Sequence, residues 1–258
     1  MSGSESQCLR FGVEILAAQD VSSIGTDDVC RAVRTADGRE YRAWAVLLAL
    51  GSTYRRLGIP GEDDFIGAGI HFCATCDGAF YRDREVMVIG GGNSAGEESL
   101  FLTKFASHVT IVTQDPVLTA SRVVAKNVLQ HPDIDVITNA TAAEFVGDRK
   151  LDAVRIKNLI TGELTTRKPA AAFVFVGQSP NSGLVADQVA TDAQGFIVTD
   201  AAMQTTVPGI FAAGDVRSGS TKQAASAAGE GAAAALAIRR YLEPVAGGMP
   251  CRERAMSA

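Results

Sequence analysis

The chain has 258 residues, a net charge of −5 and an apolar fraction of 47%. That length suits one large domain or two ordinary ones with a sizeable core. The charge leaves no global basic footprint for nucleic acid, and no run of about 18 apolar residues offers a membrane span.

The N-terminus, MSGSESQ, is polar and lacks the apolar stretch of a secretion signal, which points to the cytoplasm. Residues 11–50 read as β structure. Val29–Thr35 and Arg39–Ala43 flank Asp37-Gly38, a strong hairpin signal. Ala45–Leu50 is a continuous apolar run ending at Gly51, the pattern of a strand buried on both faces. Gly58 to Asp64 breaks the pattern as a linker. Glu85–Ile89 is a second buried strand, followed by a helix over Ser94–Phe105 with Leu100, Phe101 and Phe105 on its apolar face. Val109–Thr113 and Val123–Gln130 continue as strand and helix, a βαβα start to a parallel sheet. Thr141–Val146, Leu151–Asn158 and Glu163–Arg167 then read as three antiparallel strands, and Ala171–Val176 returns to the parallel sheet. Short strands are expected around Phe196–Thr199 and Gly209–Ala212. An alanine-rich helix over Ala224–Leu242 and a frayed tail close the chain.

Two motifs carry chemistry and lie close together. Strand Glu85–Ile89 feeds Gly90-x-Gly92-x-x-Ala95 and then a helix, the pattern of a dinucleotide fingerprint. The first glycine permits the tight turn, and the second lets backbone approach a pyrophosphate. The small third residue lets helix pack on strand, with Asn93 and Ser94 at the helix start, whose N-terminus favours phosphate charge. The bland alternative is a structural strand-to-helix turn. The choice between the nicotinamide cofactors stays open: Asp115 offers a carboxylate to a ribose hydroxyl, and Arg122 a cation to a 2′-phosphate.

Cys73-Ala74-Thr75-Cys76 is a CxxC followed by Asp77. One thiolate of such a pair attacks a disulfide and the other resolves the intermediate, and Asp77 is placed to move the proton. Half a zinc site and two inert cysteines are the other readings. The remaining cysteines, Cys8, Cys30 and Cys251, have no motif spacing, so no disulfide framework is expected. Gly214-Asp215 after an apolar strand is a third signal: Asp215 suits a cofactor hydroxyl, or simply an N-cap. His71, His108 and His131 lack triad spacing and read as surface or loop histidines.

Together Cys-Ala-Thr-Cys-Asp-Gly at 73–78, Gly-Gly-Gly-Asn-Ser-Ala at 90–95, Gly-Gln-Ser-Pro-Asn at 177–181, the Thr205–Asp215 stretch and Lys-Gln-Ala at 222–224 resemble the low-molecular-weight thioredoxin reductases. These are FAD-dependent pyridine nucleotide-disulfide oxidoreductases. The resemblance implies an α/β fold of two Rossmann-like domains, a nicotinamide domain inserted into an FAD domain. Residues 1–63 and 178–245 would form the discontinuous FAD domain, 64–177 the NAD(P) domain carrying the CxxC, and 246–258 a tail. It implies FAD with NADPH or NADH, and thioredoxin or another disulfide as substrate. Cys76 would react at the flavin, Cys73 would exchange with substrate and Asp77 would be the acid. Asp215, with Gly51 and Gly214, would line the FAD site, and Lys222, Gln223 and Ala224 would lie near the isoalloxazine. The sequence departs from the family in three places. No GxGxxG precedes Cys73, so the FAD domain reads as incomplete, without its N-terminal βαβ unit. Thr113-Gln114-Asp115 replaces the arginine-rich NADP element, and Leu50 stands in an Ala-Thr-Gly element. A homodimer or a complementing chain is one expectation from the first departure. A catalytically impaired nucleotide-binding remnant, or a fragment of a longer reductase with a binding role, is the other.

Overall fold

The structure is a computed structural model that describes residues 3–26, 30–245 and 251. The expected tail, apart from Cys251, and the start of the strand expected at Val29 lie outside the described residues. The chain divides into two units, 1–53 with 179–258 and 54–178.

The first unit opens with helix α1 (Gly3–Arg10), followed by β1 (Val21–Thr26), β2 (Arg31–Thr35) and β3 (Glu40–Ala43) in one antiparallel sheet. The Asp37-Gly38 turn joins β2 to β3 as expected. Gly38 takes φ +88°, which a side chain would resist, and Asp37 accepts the Arg39 N–H at 3.3 Å. β4 (Val46–Leu48) corrects the expectation of a strand buried on both faces. Leu48 is buried but Leu47 is exposed, because β4 pairs with a single strand among the described residues.

β5 (Ser52–Tyr54) leads into the second unit, which contains β6 (Ile70–His71), α2 (Ala74–Asp77), β7 (Glu85–Ile89), α3 (Asn93–Leu102), β8 (His108–Val112), α4 (Arg122–Leu129), β9 (Ile134–Ile137), β10 (Ala140–Gly147), β11 (Leu151–Asn158), β12 (Leu164–Arg167) and β13 (Ala171–Val174). The parallel sheet has the order β6-β13-β7-β8-β9, and β10-β11-β12 form a separate antiparallel sheet. Strand alternation explains the layering. Val86 and Val88 face one way, onto Ala95 and Leu102 of α3 and Val128 of α4. Met87 and Ile89 face the other, onto Phe145, Leu151, Val154 and Ile156 of the antiparallel sheet. Each such side chain contributes about 1.5–3 kcal/mol on burial. The buried face of α3 is Ala95, Gly96, Ser99 and Leu102; Leu100, Phe101 and Phe105, the expected apolar face, are only partly buried at its margin.

β14 (Gln178–Pro180) returns the chain to the first unit, where β15 (Ile210–Ala212) pairs with β4 in parallel and α5 (Ala224–Val245) follows. No strand forms at Phe196–Thr199: Ile197 makes only isolated bridges to Thr191 and Arg217, while its side chain is buried with Leu48 and Ile210. A second correction concerns the cysteines. Cys30 and Cys251 form a disulfide with Cα atoms 6.0 Å apart, a bond across 221 positions that no spacing rule reveals.

Candidate active site

Parallel strands place functional loops at their carboxyl ends. β6 ends at His71 and runs through Phe72 into the CxxC. β7 ends at Ile89 and runs into the glycine loop. The sheet order sets only β13 between them, so both motifs lie on one edge of one sheet.

Cys73 caps α2. Its backbone is extended (φ −144°, ψ 108°), and its Sγ accepts the Cys76 N–H at 3.1 Å. Cys73 and Cys76 are joined as a disulfide, with Cα atoms 5.4 Å apart. Ala74, between them, is fully buried against α3. Burial raises the Glu98 pKa, as does neighbouring Glu97. Cys73, Cys76, Asp77, His71, Tyr81 and Phe80 are among the residues that line a cleft of about 540 Å³.

The histidine expectation is corrected here. His71 is buried, not a surface or loop residue: its Nδ1 lies 3.2 Å from Asp77 Oδ2 and its Nε2 2.6 Å from the Tyr81 hydroxyl. Phe173 packs against the imidazole at 5.4 Å and edge-on to Tyr81 at 5.9 Å. Burial raises the Tyr81 pKa, and the Asp77 charge adds to it, against a smaller opposing effect of Arg84. The sequence carries no signal for this trio, because β6 is two residues long and the 71–77–81 spacing matches no periodicity. His108 and His131 do lie on the surface side, beside Asp135 and Asp133.

The glycine loop is built as the fingerprint demands. Gly90 has φ +138°, and a Cβ there would lie 2.3 Å from the Phe175 carbonyl oxygen. A Cβ on Gly91 would meet the Thr113 hydroxyl at 2.2 Å. At Gly92, which caps α3, nothing lies within 4 Å of that position. Open space at the N-cap of a helix, whose first N–H groups have no partner within the helix, is a cradle that a dinucleotide pyrophosphate fits. Ala95 is fully buried below, and Asn93 Oδ1 accepts the Ser121 N–H at 2.7 Å, tying the loop to the start of α4. Ser94 is exposed at the first turn of α3. Asp115 and Arg122 follow β8 without contacting each other's side chains among the described bonds.

In the first unit two distant motifs meet. Asn181 donates to the Leu50 carbonyl at 2.8 Å through Nδ2 and to the Gly51 carbonyl at 3.1 Å through its backbone, and Thr53 donates to its Oδ1 at 2.9 Å. Gly51 takes φ +69°, which this turn requires. Gly214 and Asp215 open a short 3-10 turn capped by Ala213, so Asp215 does not serve as an N-cap. Its Oδ1 is buried and has no hydrogen-bond partner among the described residues. A buried carboxylate oxygen needs a donor, and the hydroxyls of an FAD ribityl chain supply one, so this residue fits the cofactor. Lys222 lies at φ +57°, with Nζ on the Asp215 carbonyl at 2.6 Å and over the Phe196 ring at 3.8 Å. Desolvation lowers its pKa. Gln223 and Ala224 start α5 directly after it.

These two sites, a dithiol beside a dinucleotide cradle and a partnerless acid after a Gly-Asp turn, define a nucleotide-linked oxidoreductase. Residues 4–231 match the family model described as pyridine nucleotide-disulphide oxidoreductase, and the chain belongs to that family. Within it the kinship is to thioredoxin reductases. The chain is 41% identical over 237 residues to the thioredoxin reductase of Treponema pallidum, covering 92% of this chain and 76% of that protein. It is 42% identical over 248 residues to a bifunctional thioredoxin reductase/thioredoxin of Mycobacterium leprae, covering 96% of this chain but only 54% of that longer protein. The thioredoxin reductase structure from Streptococcus pyogenes superimposes with a TM-score of 0.86 at 37% identity, over 95% of this chain and 81% of that one. The α/β fold with Rossmann-like domains, the oxidoreductase class and the FAD and NADPH requirement of this family follow from that membership. No helix among the described residues is long and apolar enough to cross a membrane.

Proposed function

We propose that this chain is a thioredoxin reductase-like enzyme of the cytoplasm that reduces a protein disulfide, with thioredoxin as the substrate class. The observation that carries this reading is the Cys73–Cys76 disulfide at the cleft wall beside Asp77, on the sheet edge that also bears the glycine loop. FAD and NAD(P)H, when bound, supply the two electrons that open this disulfide. Gly90, Gly92, Asn93, Ser94 and Ala95 would hold the nicotinamide dinucleotide, and Gly51, Gly214, Asp215, Lys222, Gln223 and Ala224 the flavin. Residues 64–177 act as the nicotinamide domain and 1–63 with 178–245 as the FAD domain.

The dithiol then works on the substrate. The Cys73 thiolate attacks one sulfur of the substrate disulfide; that bond breaks, and the departing thiolate takes a proton through Asp77. The Cys76 thiol next gives up its proton and attacks Cys73 Sγ; the Cys73–substrate bond breaks, the second substrate sulfur leaves as a thiolate that takes up that proton, and the Cys73–Cys76 bond is restored. Two electrons leave the dithiol and two reach the substrate. The Cys76 N–H aimed at Cys73 Sγ favours the thiolate at the attacking position. An intact dithiol with its acid favours this reading over a nucleotide-binding remnant.

The test is the visible absorption spectrum of the purified chain with added FAD. A bound flavin band that bleaches on addition of NADPH or NADH supports the reading. A chain that binds no flavin in excess FAD would overturn it.

A further inference from the structure

Resting on the dithiol reading above, we propose that His71 is the positioning residue for Asp77, the buried middle link of a chain Asp77–His71–Tyr81 that holds the proton-transferring carboxyl against the dithiol.

Two contacts at the imidazole define the chain. Tyr81 keeps its proton, since burial and the Asp77 charge both disfavour its ionisation. Its hydroxyl lies 2.6 Å from His71 Nε2 and donates to that nitrogen in the tautomer protonated at Nδ1. An imidazole that accepts at Nε2 carries its proton on Nδ1 in the neutral form. Nδ1 lies 3.2 Å from Asp77 Oδ2, within ion-pair distance. One carboxylate oxygen thus lies against the imidazole. The other is left for the cleft, whose wall Asp77 shares with Cys73 and Cys76.

The elements around the trio make its position rigid. His71 is the last residue of β6, paired in register with Phe173 of β13. Phe173 is fully buried and contacts both the imidazole and the Tyr81 ring. Asp77 closes α2, the helix that carries the dithiol. Side-chain exposure rises outward along the chain of bonds, from 9% at His71 to 31% at Asp77. All three residues border the cleft, and the carboxyl is more exposed to it than the imidazole that anchors it. Positioning a proton donor matters because general acid transfer contributes about 10²–10⁴-fold and depends on hydrogen-bond geometry.

The experiment uses the full chain carrying Cys8→Ser, Cys30→Ser and Cys251→Ser, reduced with dithiothreitol and desalted, so that Cys73 and Cys76 are its only thiols and neither flavin nor nicotinamide is needed. Two disulfide probes are compared by rapid mixing. Attack on hydroxyethyl disulfide expels a basic alkyl thiolate that needs a proton; attack on 5,5′-dithiobis(2-nitrobenzoate) expels an aromatic thiolate stable as the anion. In each case the protein thiolate forms a bond to one probe sulfur, the probe bond breaks, and the electron pair leaves on the other sulfur. His71→Leu is expected to slow the hydroxyethyl disulfide reaction about tenfold or more and leave release of the first aromatic thiolate within about twofold. His71→Asn, which keeps an N–H near the Nδ1 position, recovers most of the rate. Adding His71→Leu to Asp77→Asn causes no further loss, because the two act through one group. Equal slowing toward both probes, or a full additional loss in the double variant, would overturn the proposal, since packing damage has that form. Unfolding of His71→Leu, read by circular dichroism, moves the decision to His71→Asn and Tyr81→Phe. Near wild-type fold with unselective slowing in both would overturn it equally. Absence of exchange in the reduced chain with His71 and Asp77 intact would instead sink the dithiol reading itself.

Discussion

Glu230 of α5 grips Arg217 with both carboxylate oxygens, at 2.8 Å to Nη2 and 3.1 Å to Nε, and also accepts the Gly214 N–H at 2.8 Å. Both side chains are largely buried, and one carboxylate thereby fixes the two ends of the turn that carries Asp215. The arrangement holds that acid's unpartnered oxygen in place without touching it.

Glu230→Gln loses the charge-assisted bonds to Arg217. The expected cost is about 2 kcal/mol, or a fall in Tm of about 5 °C, measured by calorimetry. The Arg217 hydrogen bonds hold the Glu230 carboxyl below its usual value of 4.5. A depressed folded-state pKa contributes stability that is present above about pH 4.5 and is lost as pH falls through the lower folded value. The difference in Tm between wild type and Glu230→Gln should therefore be full at neutral pH and shrink on acidification below that range. A difference that grows on acidification would contradict this account.

The glycine loop separates folding from binding. Gly90→Ala forces a Cβ onto the Phe175 carbonyl in a left-handed backbone, with an expected cost of about 3 kcal/mol. Gly92→Ala meets no protein atom within 4 Å and should leave Tm within about 1 °C. It should weaken NADPH or NADH binding by about tenfold, equivalent to about 1.4 kcal/mol, because its methyl occupies the cradle. Calorimetric titration of both variants checks this. Normal binding in Gly92→Ala would show that the dinucleotide does not lie over that glycine.

The Cys30–Cys251 bond closes a loop of 221 positions. In the chain-entropy model a loop of this length contributes about 5 kcal/mol. Cys30→Ser should lower Tm without reductant and match wild type with dithiothreitol present. In the unreduced, denatured wild-type chain only Cys8 should react with an alkylating reagent, since the other four cysteines are paired. Alkylation of Cys30 and Cys251 under those conditions would remove the bond from the account.

Cys76→Ser leaves one thiol of the pair and should abolish disulfide turnover while flavin binding is kept, read from the retained visible band. Turnover at the wild-type rate would rule out the Cys73–Cys76 route.

Much of this was legible in the residues because it is local. The Asp37-Gly38 turn, the β7–Gly90–α3 passage and the three antiparallel strands each follow from periodicity and turn chemistry within a short window. What escaped depends on contacts between distant positions. His71 looks like any loop histidine until β6 sets it beside Phe173 and α2 swings Asp77 back onto it. The Arg217–Glu230 clamp and the Cys30–Cys251 bond join residues that no motif relates. Leu47 reads as core from its apolar neighbours, yet β4 has a single strand partner among the described residues, so alternation turns that side chain outward. At Phe196–Thr199 the apolar pattern reports burial of Ile197 correctly, while the backbone takes isolated bridges in place of a ladder.

The most direct test of the central claim is mass-spectrometric mapping of alkylated cysteines in the chain supplied with FAD, before and after NADPH or NADH. Conversion of Cys73 and Cys76 from a disulfide to two alkylated thiols, dependent on both FAD and the nicotinamide, is the expected result. A Cys73–Cys76 bond that stays closed while the flavin is reduced would contradict the assignment of this dithiol as the electron acceptor.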